Sequence, residues 1–447
     1  MNSGSTEYIQ RYLSAFQSFE KTLNGESTTP LHGMRKAAMH RLAEIGFPTN
    51  KHEEWKFTSV LPIIREQFHP STVLPETSAQ KIDLGNVLIP HLDGPRLVFV
   101  NGHFSKNRSL IPSSDQLQIG SLAMALKSTH NEKLFQHLGH YASCEQDAFT
   151  ALNTGFLQDG ACIVVPDNIK IDKPVYLLFL STGGESSPLS QPRNLILSGK
   201  NSGVTIIMQY AGLSQQMYFT NAVSEIVAGE NAVVEFTKLQ QENNNAYHID
   251  SVYIHQHAGS NVTAHTVSFG GAIVRNNITT VLDAEGCECT LNGLSLGTGT
   301  QHIDNHTVID HAKPHCNSHE LYKSILSGKS KGVFNGKIFV RKDAQKTDAK
   351  QTNKTLLLSD DATMNTKPQL EIFADDVKCT HGATVGYLDA EALFYLRSRA
   401  IGLDDAKDML TRAFASDVTE RNSIESLREY LNAMLGGRLE KNHGRAS

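Results

Sequence analysis

Cys379-Thr380-His381-Gly382 sets a thiol and an imidazole two positions apart, and on an extended segment that spacing turns both side chains to one face. Thiolate and neutral imidazole are ligands for borderline-soft metals. Gly382 allows close approach of a second group, and Lys378 is a cation placed to favour the thiolate. The same pair could serve a cysteine hydrolase, but that chemistry also needs an orienting carboxamide or carboxylate and an oxyanion site. The sequence carries no signature of either, and a pair of packed side chains is the competing reading.

Other reactive groups cluster upstream. His302, His306, His311, His315, Cys316 and His319 are dense enough for a transition-metal site. In a strand, however, residues an even number apart share a face, so intervening turns decide which of them converge. Structural packing and metal binding both stay open for this segment. Cys287-Glu288-Cys289 sends two thiols to one face of a strand, about 7 Å apart, which suits two core thiols or a bound metal. Gly328-Lys329-Ser330 resembles the end of a phosphate-binding loop, but the fingerprint needs a glycine where Lys323 stands, so a β-turn is expected.

The elements that would carry these groups fall into three regions, expected at residues 1–90, 91–378 and 379–447. Apolar residues at helical spacing, Tyr8, Ile9, Tyr12, Leu13, Phe16 and Phe19, then Met34, Ala37, Ala38, Leu42 and Ile45, predict two helices. Gly46-Phe47-Pro48 stops the second. From about residue 95 the chain changes to short β-rich runs, among them Leu97 to Val100, Ala161 to Val165, Val204 to Met208, Asn261 to Phe269, Thr290 to Leu296 and Lys337 to Val340. Comparable turns, such as Gly229-Glu230-Asn231 and Gly259-Ser260-Asn261, recur at about 25 to 30 residues. A sandwich would use more varied turns, whereas coils that stack and bury a shared core repeat at this interval, so the expected fold is mainly β, a β-helix flanked by helices.

After it, Asp389 is a candidate N-cap for a helix over 390–400, with Gly402 as its stop. Ala406, Met409, Leu410, Ala413 and Phe414 form one apolar stripe. Ile424, Leu427, Leu431, Met434 and Leu435 form another before Gly436-Gly437, with a frayed tail from Arg438.

Composition excludes several classes. The net charge of −5, with 19% charged residues, leaves no basic footprint for nucleic acid or an anionic membrane. The start has no basic segment followed by an apolar core, and no run of about 18 apolar residues occurs, so a cytoplasmic protein is expected. Six cysteines in 447 residues are too sparse for a disulfide framework.

The run Asp376-Val377-Lys378-Cys379-Thr380-His381-Gly382-Ala383-Thr384-Val385-Gly386, followed by Leu388-Asp389, Glu391, Leu393-Phe394-Tyr395-Leu396 and Ser398-Arg399, resembles the C-terminal signature of the SufB/SufD family of iron–sulfur cluster assembly proteins. Gly46-Phe47-Pro48-Thr49 with Glu53-Glu54-Trp55-Lys56-Phe57-Thr58, and Asp304-Asn305-His306-Thr307 with Asp310-His311, agree with the same family. The N-terminal pair looks like the branch that partners SufB rather than SufB itself, which carries the scaffold cysteine most often implicated in assembly.

The resemblance implies a right-handed parallel β-helix that pairs with SufB and a C-terminal helical domain that docks the ATPase SufC. It implies that His381 lies at the interface with SufB, where the nascent cluster forms, with Cys379 beside it. Asp389, Ala406, Met409, Leu410, Ala413 and Phe414 would then meet SufC. By the same resemblance the chain is a scaffold and not an enzyme, and holds no cofactor tightly. A transient cluster or iron would be shared with SufB, reduced flavin is a candidate in the complex, and a homodimer is a candidate state of the isolated chain. The rival reading is a stand-alone metal-binding or carbohydrate-active β-helix, for which Asp283, Glu285, Asp304 and Asp310 are the best acidic candidates.

Overall fold

A computed structural model describes residues 3–23, 28–71, 82–112, 117–128, 132–183 and 187–442. Its body is a parallel β-solenoid. Successive strands alternate between an 11-stranded and a 10-stranded sheet, so each coil contributes one strand to each. Register carries straight through the stack: Ile273 pairs with Tyr247 below and His302 above, and His302 pairs in turn with Lys331. Strands read from their apolar residues are close to those observed, such as Ala161–Val165 and Asn261–Phe269. Polar strands extend further than the sequence predicts, through His302–His311, Asn317–Leu326, Asp348–Leu357, Thr363–Ile372 and Lys378–Gly386.

One turn repeats up the edge of the stack with a left-handed residue at its corner: Asn168, Asn201, Asn231, Gly259, Gly286, His315 and Lys346. Asparagine and glycine tolerate that conformation at little cost. Six of these corner amides, all but that of Gly286, bond the carbonyl of a neighbouring turn, as in Asn231 N–H to Ala258 at 2.8 Å and Lys346 N–H to Asp376 at 2.7 Å. Asn201 and Asn231 add side-chain bonds, donating to Asn168 and Asn201 at 2.9 and 3.2 Å.

The two ends of the solenoid differ. At the first, short antiparallel strands fold back: His103–Phe104 onto Arg96–Val100, and Gln118–Ser121 onto Ala161–Val165. Phe104, Leu117 and Ile119 thereby close the interior. At the last, Thr363–Ile372 and Lys378–Gly386 are terminal strands of their sheets, and their residues are mostly half-buried or exposed where the preceding coils are buried. The boundary drawn after residue 378 falls one residue inside that final strand, and the helices begin at Ala390.

The N-terminal helices Ser3–Glu20 and Pro30–Ile45 do not form a separate unit. Ile9, Tyr12, Phe16, Met39 and Leu42 share one apolar cluster with the helix Ala148–Gly155 and with Phe219, Tyr247 and Ile249 of the sheet. The second helix buries His32, Arg35, Ala38, Met39 and Leu42, so Ala37, read as part of its apolar face, points outward.

At the C-terminus, Asp389 caps the helix Ala390–Ser398 by accepting from the amides of Glu391 and Ala392. Gly402, expected as a stop, is instead the N-cap of Leu403–Thr419. The last helix, Glu425–Asn442, runs on through Gly436-Gly437, and a side chain at Gly436 would collide with the Arg412 guanidinium, so that glycine serves close packing between helices. Leu427, Leu431, Leu435 and Leu439 recur every fourth residue and lie against the sheet. Arg438, expected to begin a frayed tail, donates to the Phe269 carbonyl at 3.1 Å.

A fully buried ion pair joins the helical flank to the solenoid. Arg193 donates to Glu225 at 2.7 Å with both side chains inaccessible. Glu225 also accepts from the amides of Gly139, Tyr141 and Ala142. Removing one partner of such a pair strands a buried charge, which costs about 3–5 kcal/mol. Glu225→Leu is therefore expected to lower the unfolding free energy obtained from denaturant titration by about 3–5 kcal/mol, whereas an unchanged value would mean that Arg193 finds solvent.

Candidate functional site at the open end of the solenoid

Cys379 and His381 lie on the last strand, paired with Ala349 and Gln351 of the coil below. Both follow the inward-facing register, so they project along the solenoid interior at the point where it opens. Cys379 is half-buried beside Ile338, Val340, Ala344, Ala349 and Ala374, while His381 is exposed. Burial, and then the charge of Asp348, push the Cys379 thiol above its ordinary value. The thiolate preference expected from Lys378 is thus reversed in the isolated chain.

Beneath His381 the interior is polar. Gln351 is 2% exposed and donates its amide N–H to Glu320 Oε2 at 2.7 Å. Burial moves the Glu320 carboxyl from about 4.5 up to about 7. Around the opening, Ile372, Phe373, Val385, Tyr387, Phe394 and Tyr395 are all exposed.

The histidine-rich segment is dispersed. His302 Nε2 meets Thr58 Oγ1 at 2.8 Å. His306 lies 3.0 Å from Asp304 and 3.3 Å from Glu54. His311 faces inward, bonds Ser318 Oγ at 2.9 Å, and is pushed down to about 4 by burial. His315 is a turn corner and His319 points outward. Among the described residues no three His, Cys, Asp or Glu side chains are arranged to hold a metal. Cys287 and Cys289 are both core thiols; the nearer neighbour of Cys287 is Cys316 in the next coil, and each donates to the Ala284 carbonyl at 3.2 Å.

The tertiary structure brings together two motifs that lie far apart in sequence. Thr58 donates to Asp304, Glu54 meets His306 and accepts from Asn335 at 3.1 Å, and Glu53 pairs with Lys367. Arg275 lies 3.7 Å from the Trp55 ring centroid and donates to Asp304 at 2.8 Å. The segment Glu53 to Thr58 is therefore a clasp across four successive strands of one sheet, beside an open cleft of about 480 Å³. Arg275, its central residue, carries no local sequence signal; only the register that sets it beside Asp304 reveals it.

The acidic residues of the rival reading do not form a site. Asp304 belongs to the clasp, Asp310 pairs with Arg341 at 2.7 Å, and Asp283 lies 3.6 Å from His255.

In the C-terminal helices the expected stripe divides. Ala406 is buried with Thr411, Ala415 and Val418. Phe414 is half-buried under Lys323, whose ammonium lies 4.2 Å from its ring centroid. Met409 and Ala413 are exposed, and Leu410 is intermediate. Asp389 is engaged in its cap.

Residues 179–414 match the SufBD core domain of the SUF system of iron–sulfur cluster assembly, and residues 6–177 match the SufBD protein N-terminal region. The chain belongs to the SufBD family. It is 34% identical to the iron–sulfur cluster assembly protein SufD of Escherichia coli K12, over 90% of this chain and 91% of that protein. A SufBD family protein of Synechocystis, slr0076, is 33% identical over 91% of this chain and 90% of its own length. The chloroplastic protein ABCI7 of Arabidopsis thaliana is 30% identical, over 92% and 87% respectively. Among the described residues no helix is long and apolar enough to cross a membrane.

Glu320 gives the interior column a measurable signature. Its folded pKa is raised, so its contribution to stability is full below about 4.5 and is lost as pH climbs towards about 7. At about 1.4 kcal/mol per unit the loss is roughly 3 kcal/mol. Wild type is expected to lose that much relative to Glu320→Gln between pH 4.5 and 8 in denaturant titrations, and parallel pH curves would mean that the carboxyl is solvated.

Proposed function

We propose that this chain is a non-catalytic scaffold subunit of the cytoplasmic SUF iron–sulfur assembly complex. It pairs with SufB through the open end of its solenoid, docks SufC through its C-terminal helices, and offers Cys379 and His381 as transient ligands to iron or the nascent cluster. Iron and cluster are its cargo.

The observation that carries the reading is the uncovered last coil. Its two terminal strands present unpaired backbone groups, and six large apolar side chains are exposed around it. An edge of this kind is a template for strand addition by another chain. A thiol and an imidazole sit at that same edge, so a partner that completed the stack would enclose them. Enclosure would exclude water from the ligands, and neutral imidazole and thiolate are the forms that bind iron.

The SufC surface lies on the C-terminal helices, and its Phe394, Tyr395 and Tyr387 are also among the exposed side chains around the opening. Leu403 and Met409 are exposed on the helix Leu403–Thr419, near Phe394 and Tyr395 on the preceding helix. An open cleft of about 530 Å³ between these helices and the solenoid turns is lined by Tyr387, Leu393, Lys407 and Asp408. Exposed apolar side chains grouped on a helical unit suit a protein partner.

Two outcomes are expected. In a complex reconstituted with SufB and SufC, His381→Ala and Cys379→Ser each lower iron and acid-labile sulfide per complex at least several-fold without dissociating it; wild-type content in the double variant would remove both residues from the site. Met409→Asp, at an exposed position, weakens SufC retention in pull-downs while SufB retention persists. Undiminished SufC binding by Met409→Asp would place that interface elsewhere. Phe414→Asp is less clean, because Phe414 also holds Lys323.

A further inference from the structure

We propose that Gln351, anchored by Glu320, is a positioning residue that fixes the imidazole of His381 in one tautomer, with a bare ring nitrogen turned towards the seam. This rests on the reading of His381 as an iron ligand and assigns the residues that prepare it.

Leu291, Glu320, Gln351 and His381 are successive partners in four stacked parallel strands. Side chains in such a column share one face and lie about 4.8 Å apart. Each therefore rests on the next, and the neighbour of Gln351 on its open side is His381.

The orientation of the Gln351 amide is set from below. Its N–H donates to Glu320 Oε2 at 2.7 Å, and above about pH 7, where this carboxyl is ionised, it only accepts. The amide nitrogen must face Glu320, so the carbonyl oxygen faces away. Opposite, Gly336 has no side chain, and a Cβ there would collide with the Gln351 amide. The amide is thus held in its slot from the second sheet as well.

That leaves Gln351 Oε1 buried and without a hydrogen-bond partner. Buried acceptors are rarely left so, and the group stacked above it carries a ring N–H. Donation from His381 to Gln351 Oε1 would satisfy the oxygen and commit one ring nitrogen as donor. The other nitrogen then keeps its lone pair, directed away from the interior. Metal-binding histidines are commonly oriented by such an outer partner. Glu320 itself faces Thr307 and Gln351, and the titratable groups nearest to it, Cys289 and Tyr322, are held neutral by burial. Among the described residues no competing charge sets the amide.

The test uses the full chain, metal-free, with ¹⁵N-labelled histidine at pH 8. His381 is assigned by the signals lost in His381→Gln. In the wild type its two ring nitrogens are expected at the separated shifts of a single tautomer. In Gln351→Met, which keeps length but removes the acceptor, they should move towards the averaged values of free imidazole. Glu320→Gln keeps volume but lets the amide turn either way, and should lose the preference too; it serves if Gln351→Met fails to fold. Fe²⁺ affinity in the complex with SufB should fall about 10- to 100-fold in each. An unchanged His381 tautomer in a folded Gln351→Met or Glu320→Gln chain overturns the proposal. If instead the tautomer preference is lost in the variants while His381→Ala retains iron, the positioning stands and the ligand reading fails.

Discussion

Every coil of a parallel solenoid depends on the next. A strand in the stack satisfies half of its backbone groups below and half above, and its inward side chains are covered by those of its neighbours. The condition is met by the chain itself at one end, where two antiparallel strands turn back and close the interior. It is unmet at the other, where Lys378–Gly386 has a partner on one side alone. The thiol, the imidazole and the exposed aromatic residues all belong to that unmet condition.

The same dependence explains the distribution of polar residues. Inward positions near the middle of the stack mix apolar residues with a bonded polar column, in which Lys238 donates to Asp250 and Asn276, and Asn276 to Asn305. Nearer the open end the polar inward members are Ser318, Glu320, Gln351 and His381. A polar interior is tolerated where neighbouring coils bond it, as Gln351 bonds Glu320. Its last member is left for whatever covers the end. The clasp of Glu53 to Thr58 has a complementary role, because it spans several strands at once and ties the helical flank to the coils that lead to the opening. Loss of register in the sheet would separate Arg275 from Asp304 and release it.

Much of the fold was legible in the residues. β-rich runs separated by glycine and asparagine turns at a regular interval required stacked coils, since only a left-handed-tolerant corner repeats in that way. Legibility faded where His315 and Lys346 took the corner positions and where the strands turned polar, because neither carries a local signal. The cysteine and histidine pair was visible from its spacing, and the family from its motifs. The leucine ridge of the last helix was visible too, but the role of Gly436 was not, since the group it makes room for is a guanidinium on another helix.

What the sequence determined by itself was therefore local and periodic: strand against helix, the turn corners, the cap at Asp389, and a common face for Cys379 and His381. Only the tertiary structure decided that this face lies at an uncovered end, that burial and Asp348 act on the thiol more than Lys378 does, and that Glu320 and Gln351 stand beneath the imidazole. It also parted the histidines that the chain holds close together. The physical reason is register: in a solenoid the neighbours that set burial and charge lie one coil away, and nothing local in the sequence states which residue that will be.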